Sequence, residues 1–153
     1  MKITQLTDKE VFDRKDSEVV VDVESYQNYT LICFEYTDGA KVFFEWRGQT
    51  PIGFNKVKLR WMLENNVIHT FNGNSYDMVV MKYLLLSPLP ITTADMYEAT
   101  QELIARNTYW MRFYQMHKIA WGMIECNHVD LIEVAFGKSS LKLYAGRLHA
   151  EKM

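Results

Sequence analysis

The alternation of apolar and polar positions is clearest near the start of the chain. Residues 19–26 read VVVDVESY, and the period-two geometry of a strand sends Val21 and Val23 to one face while Asp22 and Glu24 project together from the other. Residues 18–25 therefore form the first expected strand. A short YQNY turn leads to a second strand over 30–36, and Asp38-Gly39 makes a tight hairpin into a third over 41–46, giving an antiparallel meander. The period then changes. Residues 55–65 place Val57, Trp61 and Met62 on a helical stripe with Lys and Arg opposite, residues 67–71 return to strand, and 78–86 are apolar nearly all round, a buried helix ending before Pro88. Thr and Asp open a further helix over 93–106, which continues or resumes through YWMRFYQMHK. Residues 128–134 read as a strand, and 139–148 as a helix capped by Ser139 or Ser140. The order of elements predicts an α/β domain: a mixed sheet of a three-stranded meander plus parallel strands, with helices on both faces.

Composition narrows the function classes. The 153 residues are 48% hydrophobic and 14% aromatic, enough for one domain with a sizeable core, and the net charge of -2 excludes a generally basic, non-specific nucleic-acid binder. Cys33 and Cys126 belong to no CxxC or Cys/His cluster and read as reduced thiols. The leading MKITQLTDKEVF lacks the apolar core of a secretory signal, and no apolar run approaches a membrane span, so a soluble cytoplasmic protein is expected.

The candidate chemistry is acidic. Asp22 and Glu24 repel each other on one face, so a positive partner between them or a solvated strand end is required. In TFNGNSYDMVV, the residues Asn72, Gly73, Asn74 and Ser75 make a loop that bends sharply between a strand and a helix, with Asp77 at the helix entrance. If the first and fourth strands are neighbours, three carboxylates converge. Hard oxygen ligands of this kind suit Mg2+ or Mn2+, and two such ions roughly 3.5–4 Å apart are a recurrent device for phosphodiester hydrolysis.

These stretches resemble the DEDD-type 3'-5' exonucleases of the ribonuclease H-like fold, a family that includes polymerase proofreading domains and bacteriophage exonucleases. VVVDVESY is similar to their first motif, HTFNGNSYDMVVMKYL to their second, and HVDLIEVAFGKSSLKLYAGRL to the stretch beyond it. The resemblance implies a single exonuclease-like domain over 1–153 that removes nucleotides from DNA 3' ends, single-stranded by preference, in the cytoplasm of a bacterial host if phage-encoded. It assigns Asp22 to bridge both ions, Glu24 to the nucleophile-side ion and Asp77 to the second ion, mostly through water. Asn72, Asn74 and Tyr76 would line the approach of the terminal nucleotide. The family's third motif, a Tyr or His followed a few residues later by a fourth Asp, has no counterpart up to Met153, since the one acid after His149 is Glu151, which is too close. The chain is therefore expected to be weakly active alone, and to be the N-terminal part of a longer enzyme or to be completed by a companion polypeptide or polymerase. The alternative is a catalytically inactive nucleic-acid-binding or protein-interaction module on the same scaffold.

Plainer readings stand beside these. Edge strands often alternate valine with acids against aggregation, and Asp77 alone is an ordinary acid at a helix start. Asp130, among apolar neighbours, reads as structural. His69, His117, His128 and His149 show no zinc spacing. Tyr109, Trp110, Phe113 and Tyr114, with Arg112 and Lys118, match a base-stacking surface, against the simpler reading of a helix packing on the core.

Overall fold

The computed structural model describes residues 5–48, 52 and 55–134. Strands β1 (Glu18–Tyr26), β2 (Tyr29–Tyr36) and β3 (Lys41–Arg47) form the antiparallel meander; β4 (Val67–Thr70) adds parallel to β1, and β5 (Asn127–Asp130) parallel to β4. The five-stranded mixed sheet has the order β3-β2-β1-β4-β5, which puts the strand carrying Asp22 and Glu24 at its centre. The α/β class, the meander and the parallel addition follow the expectation.

Alternation dictates which face is buried. Val19, Val21 and Val23 of β1, Ile32 and Phe34 of β2, Phe44 of β3 and Ile68 of β4 join one core, with Phe34 and Phe44 edge to face at 5.9 Å between ring centres. On the opposite face Val20 is 52% exposed, and Asp22 and Glu24 are exposed beside it. Among the described residues burial in β1 to β4 is thus confined to one face. The helix expected over 139–148 lies outside the described residues.

Helix α1 (Asp8–Asp13) occupies what read as a polar lead; its Thr7 cap and Glu10 form a reciprocal capping box, a T-x-x-E signature present in the sequence. In α2 (Lys56–Asn65) the stripe is Leu59, Met62 and Leu63, all fully buried, while Val57 is 86% exposed, so the stripe is rotated from the one expected. Helix α3 (Asp77–Leu86) is buried nearly all round and ends ahead of Pro88, as its composition requires. Helix α4 (Thr93–Thr100) starts at a Thr92–Asp95 capping box and runs on as a π-helical stretch, Gln101–Ala105; the chain then breaks and resumes as α5 (Trp110–Met116). The strand expected over 128–134 ends at Asp130, where α6 (Leu131–Val134) begins and the Asp130 carboxylate accepts the Ile132 N–H at 3.3 Å. Among the described residues no helix is long and apolar enough to cross a membrane.

Candidate functional site

The site begins where two parallel strands stop matching. β4 pairs with β1 only at Glu18, Val19 and Val20, yet β1 runs on to Tyr26. Beyond Val20 that edge of β1 is open to the loop that connects β4 to α3. The opening lies at the carboxyl ends of parallel strands, the place where open α/β sheets bind ligands.

Side chains from β4 and β5 fold that loop. Asp130 accepts the N–H groups of Asn72 at 2.7 Å and Asn74 at 2.9 Å, which anchors the loop through the backbone of two residues that read as nucleotide contacts. Asn72 adopts φ 65, a left-handed conformation asparagine tolerates. Thr70, fully buried, accepts the Gly73 N–H at 3.2 Å and shares a 2.6 Å hydrogen bond with His128. Gly73 packs so closely on Thr70 that a Cβ at this position would overlap the threonine side chain. Gly73→Ala is accordingly expected to destabilise the protein by about 2–4 kcal/mol, the range of overpacking combined with loss of a buried turn. Urea denaturation of parent and variant measures it.

The turn delivers Asp77 to β1. Its Oδ1 accepts the N–H of Val23 at 3.1 Å, and Val23 is the residue between Asp22 and Glu24. The second acidic segment is therefore bonded to the backbone of the first. Asp77 is 5% exposed, and burial, reinforced by the charge of Asp22 and then of Asp130, pushes its carboxyl up to about 7 against the pull of the Val23 N–H. Asp22, although exposed, is also raised, by partial desolvation from its packed neighbours first and by Glu24 second. Tyr76 is pushed up to about 12 by burial, opposed by its Thr100 hydrogen bond and raised further by Asp77, Asp22 and Glu24. Asp22, Glu24 and Asp77 thus act on one another or on a common neighbour. Tyr76 itself is half-buried, its hydroxyl 3.0 Å from Thr100 Oγ1.

Among the described residues none of the three carboxylates makes an ion pair, so no lysine or arginine fills the positive position that the Asp22 and Glu24 pairing calls for. The donor set fits a hard divalent cation in kind, being all carboxylate oxygen with a buried member that a cation would hold ionised. It is not a closed cage: among the described residues no three His, Cys, Asp or Glu side chains are grouped to hold one ion. The described histidines are hydrogen-bonded instead, His69 to Glu18 at 3.2 Å, His117 to Glu102 at 3.4 Å and His128 to Thr70; His149, Glu151 and the residues after Val134 lie outside the described residues.

Thr70 and Thr100 are supporting residues to which the motifs of the sequence assign no role. The only signal for Thr70 was its place three residues before a glycine at a strand end, where a side-chain hydroxyl turns the backbone; Thr100, 24 positions from Tyr76, had none. Comparison with protein-family models, with curated proteins and with solved structures gives no match.

Proposed function

We propose that this chain is a metal-dependent 3'-5' exonuclease module of ribonuclease H-like architecture, hydrolysing phosphodiester bonds at DNA 3' ends with Mg2+ or Mn2+ held by Asp22, Glu24 and Asp77. The observation that carries the reading is the Asp77–Val23 hydrogen bond, which places the acid of the NGNSYD loop against the backbone of the DxE strand. The central position of that strand, between the other two strands of the meander and the two parallel strands, supports it. So does the burial of Asp77: a carboxyl raised to about 7 is stabilised in its charged form by a cation.

The proposed division of labour is the following. A bound divalent ion supplies Lewis-acid stabilisation of phosphate charge and an activated water. Asp22 and Glu24 present exposed oxygens at the strand face, Asp77 closes the buried side with one oxygen committed to Val23, and Asp130 fixes the loop that bears Asn72 and Asn74. A companion polypeptide or polymerase completing the site belongs to the same proposal.

The competing reading, a nucleic-acid-binding or protein-interaction module that keeps the acids without hydrolysis, is favoured by one observation: the described residues contain no ready-made group of three metal ligands. Incubation of 5'-labelled single-stranded DNA with Mn2+ separates the two. Shortening from the 3' end that is absent in Asp22→Asn supports hydrolysis, and intact DNA bound by both proteins supports the binding module.

A further inference from the structure

A second feature, which shares Asn74 with the loop ahead of Asp77, is left unused by the proposed chemistry. A pocket of about 120 Å³ opens between α3, α5 and the short 3-10 turn Trp121–Met123, lined by Asn74, Lys82, Trp110, Tyr114, Trp121 and His128. Its volume lies below the roughly 300–1,000 Å³ of ordinary small-molecule sites, so it admits one ring system at most. Three of its walls are aromatic and brace one another: Trp110 and Trp121 meet edge to face at 5.6 Å, Tyr114 stacks on Trp121 at 6.2 Å, and Trp110 meets Tyr114 at 5.9 Å. Tyr114 is buried, whereas Trp121 is 42% exposed.

The cation of this pocket comes from α3. Lys82 Nζ lies 5.9 Å from the centre of the Trp121 ring, and among the described residues it makes no ion pair. Burial lowers its affinity for the proton, so the ammonium gains from an anion brought alongside. Arg112 and Lys118, the cations that the sequence offered for this role, are exposed and do not line the pocket. Asn74 belongs both to the pocket and to the loop that Asp130 anchors against the carboxylates. Asp77 opens the helix that carries Lys82, five positions further on, about 7.5 Å along the axis and about 140° around it, so the two side chains leave different sides of α3.

We propose that this pocket binds one nucleotide of a single strand, the base against Trp110 and Trp121 and a phosphate oxygen on Lys82, and so holds the strand that enters the carboxylate site. The proposal rests on the nucleic-acid reading of that site and adds where the strand lies. Stacking on aromatic faces with a cation at the rim tolerates any base, as an enzyme acting on every sequence requires.

The test is fluorescence anisotropy of a 5'-labelled oligothymidylate in EDTA, where no hydrolysis occurs. Trp121→Ala, at an exposed position, and Lys82→Gln are each expected to weaken binding about 10-fold or more. Lys82→Gln is also expected to reduce the slope of log K against log salt by about 0.7, the single-strand value for one phosphate contact; a merely structural lysine would leave that slope unchanged. Parent-like affinity in both variants, or no binding by the parent, overturns the pocket. Cleavage in Mn2+ without Lys82-dependent binding overturns the pocket alone, and Lys82-dependent binding without cleavage overturns hydrolysis alone while the pocket stands.

Discussion

At pH 8 and without divalent ions, Asp77→Asn is expected to melt roughly 5–15 °C above the parent, and at pH 4 to match it closely. The sign follows from the direction of the shift. The Asp77 carboxyl titrates near 7 in the folded protein against an ordinary value of 3.8, so between those pH values the folded state holds a proton that the unfolded state has released. Stability linked to this group is complete below about 3.8 and is lost as pH rises through 7. Asparagine keeps an oxygen for the Val23 N–H and never ionises, so it escapes a penalty of about 2–4 kcal/mol at pH 8. Thermal denaturation across pH 4–8 reads the effect. Equal melting of the two proteins at pH 8 would mean that the aspartate is not held against the charge of Asp22 in a dry position.

The second large effect is on cleavage. In Mn2+ at pH 8, shortening of 5'-labelled single-stranded DNA is expected to fall roughly 10²–10⁴-fold in Asp22→Asn, the equivalent of several kcal/mol of charge stabilisation delivered through the ion. Asp22 is the residue for this test because it is exposed on the open face of β1, and its loss removes no core contact. Asp77→Asn should fall by a similar factor while gaining stability, so that activity and stability move in opposite directions. Denaturation alone cannot produce that combination. Equal rates in the parent and in Asp22→Asn would remove the DxE strand from the chemistry.

What the sequence revealed of this fold was what two-residue periodicity and turn chemistry encode. β1, β2 and β3 appeared within a residue or so of their bounds because Val, Ile and Phe alternate with polar residues there, and Asp38-Gly39 fixed the hairpin through a glycine at φ 88. Helix α1 was legible in Thr7 and Glu10, but a six-residue helix with Val11 as its one buried residue carries too short a pattern to stand out from a polar lead. Val57 misled because one valine on a charged helix says nothing about rotation; Leu59 and Leu63, four apart, marked the true stripe. The strand into 131–134 failed because LIEV is apolar and β-branched, while the Asp130 carboxylate, which turns the chain there, acts through a hydrogen bond to Ile132 that no periodicity records.

The candidate site divides in the same way. Asp22 and Glu24 on one face, and Asp77 at the head of a helix, follow from local rules. That Asp77 reaches the Val23 amide depends on β4 stopping at Thr70 while β1 continues, a long-range fact of registry that spacing in the sequence does not contain. The role of Lys82 depends on α3, α5 and the 3-10 turn meeting in space, so the sequence offered Arg112 and Lys118 instead, the cations nearest to the aromatic residues along the chain.

The most direct measurement of the central claim is a calorimetric titration of Mn2+ into the metal-free protein at pH 8, beside Asp22→Asn and Asp77→Asn. Saturable binding by the parent, accompanied by a rise in melting temperature and weakened at least about 10-fold in each variant, is the result expected of carboxylates from β1 and α3 that share one cation. Binding of equal strength in all three proteins, or none in the parent, contradicts it.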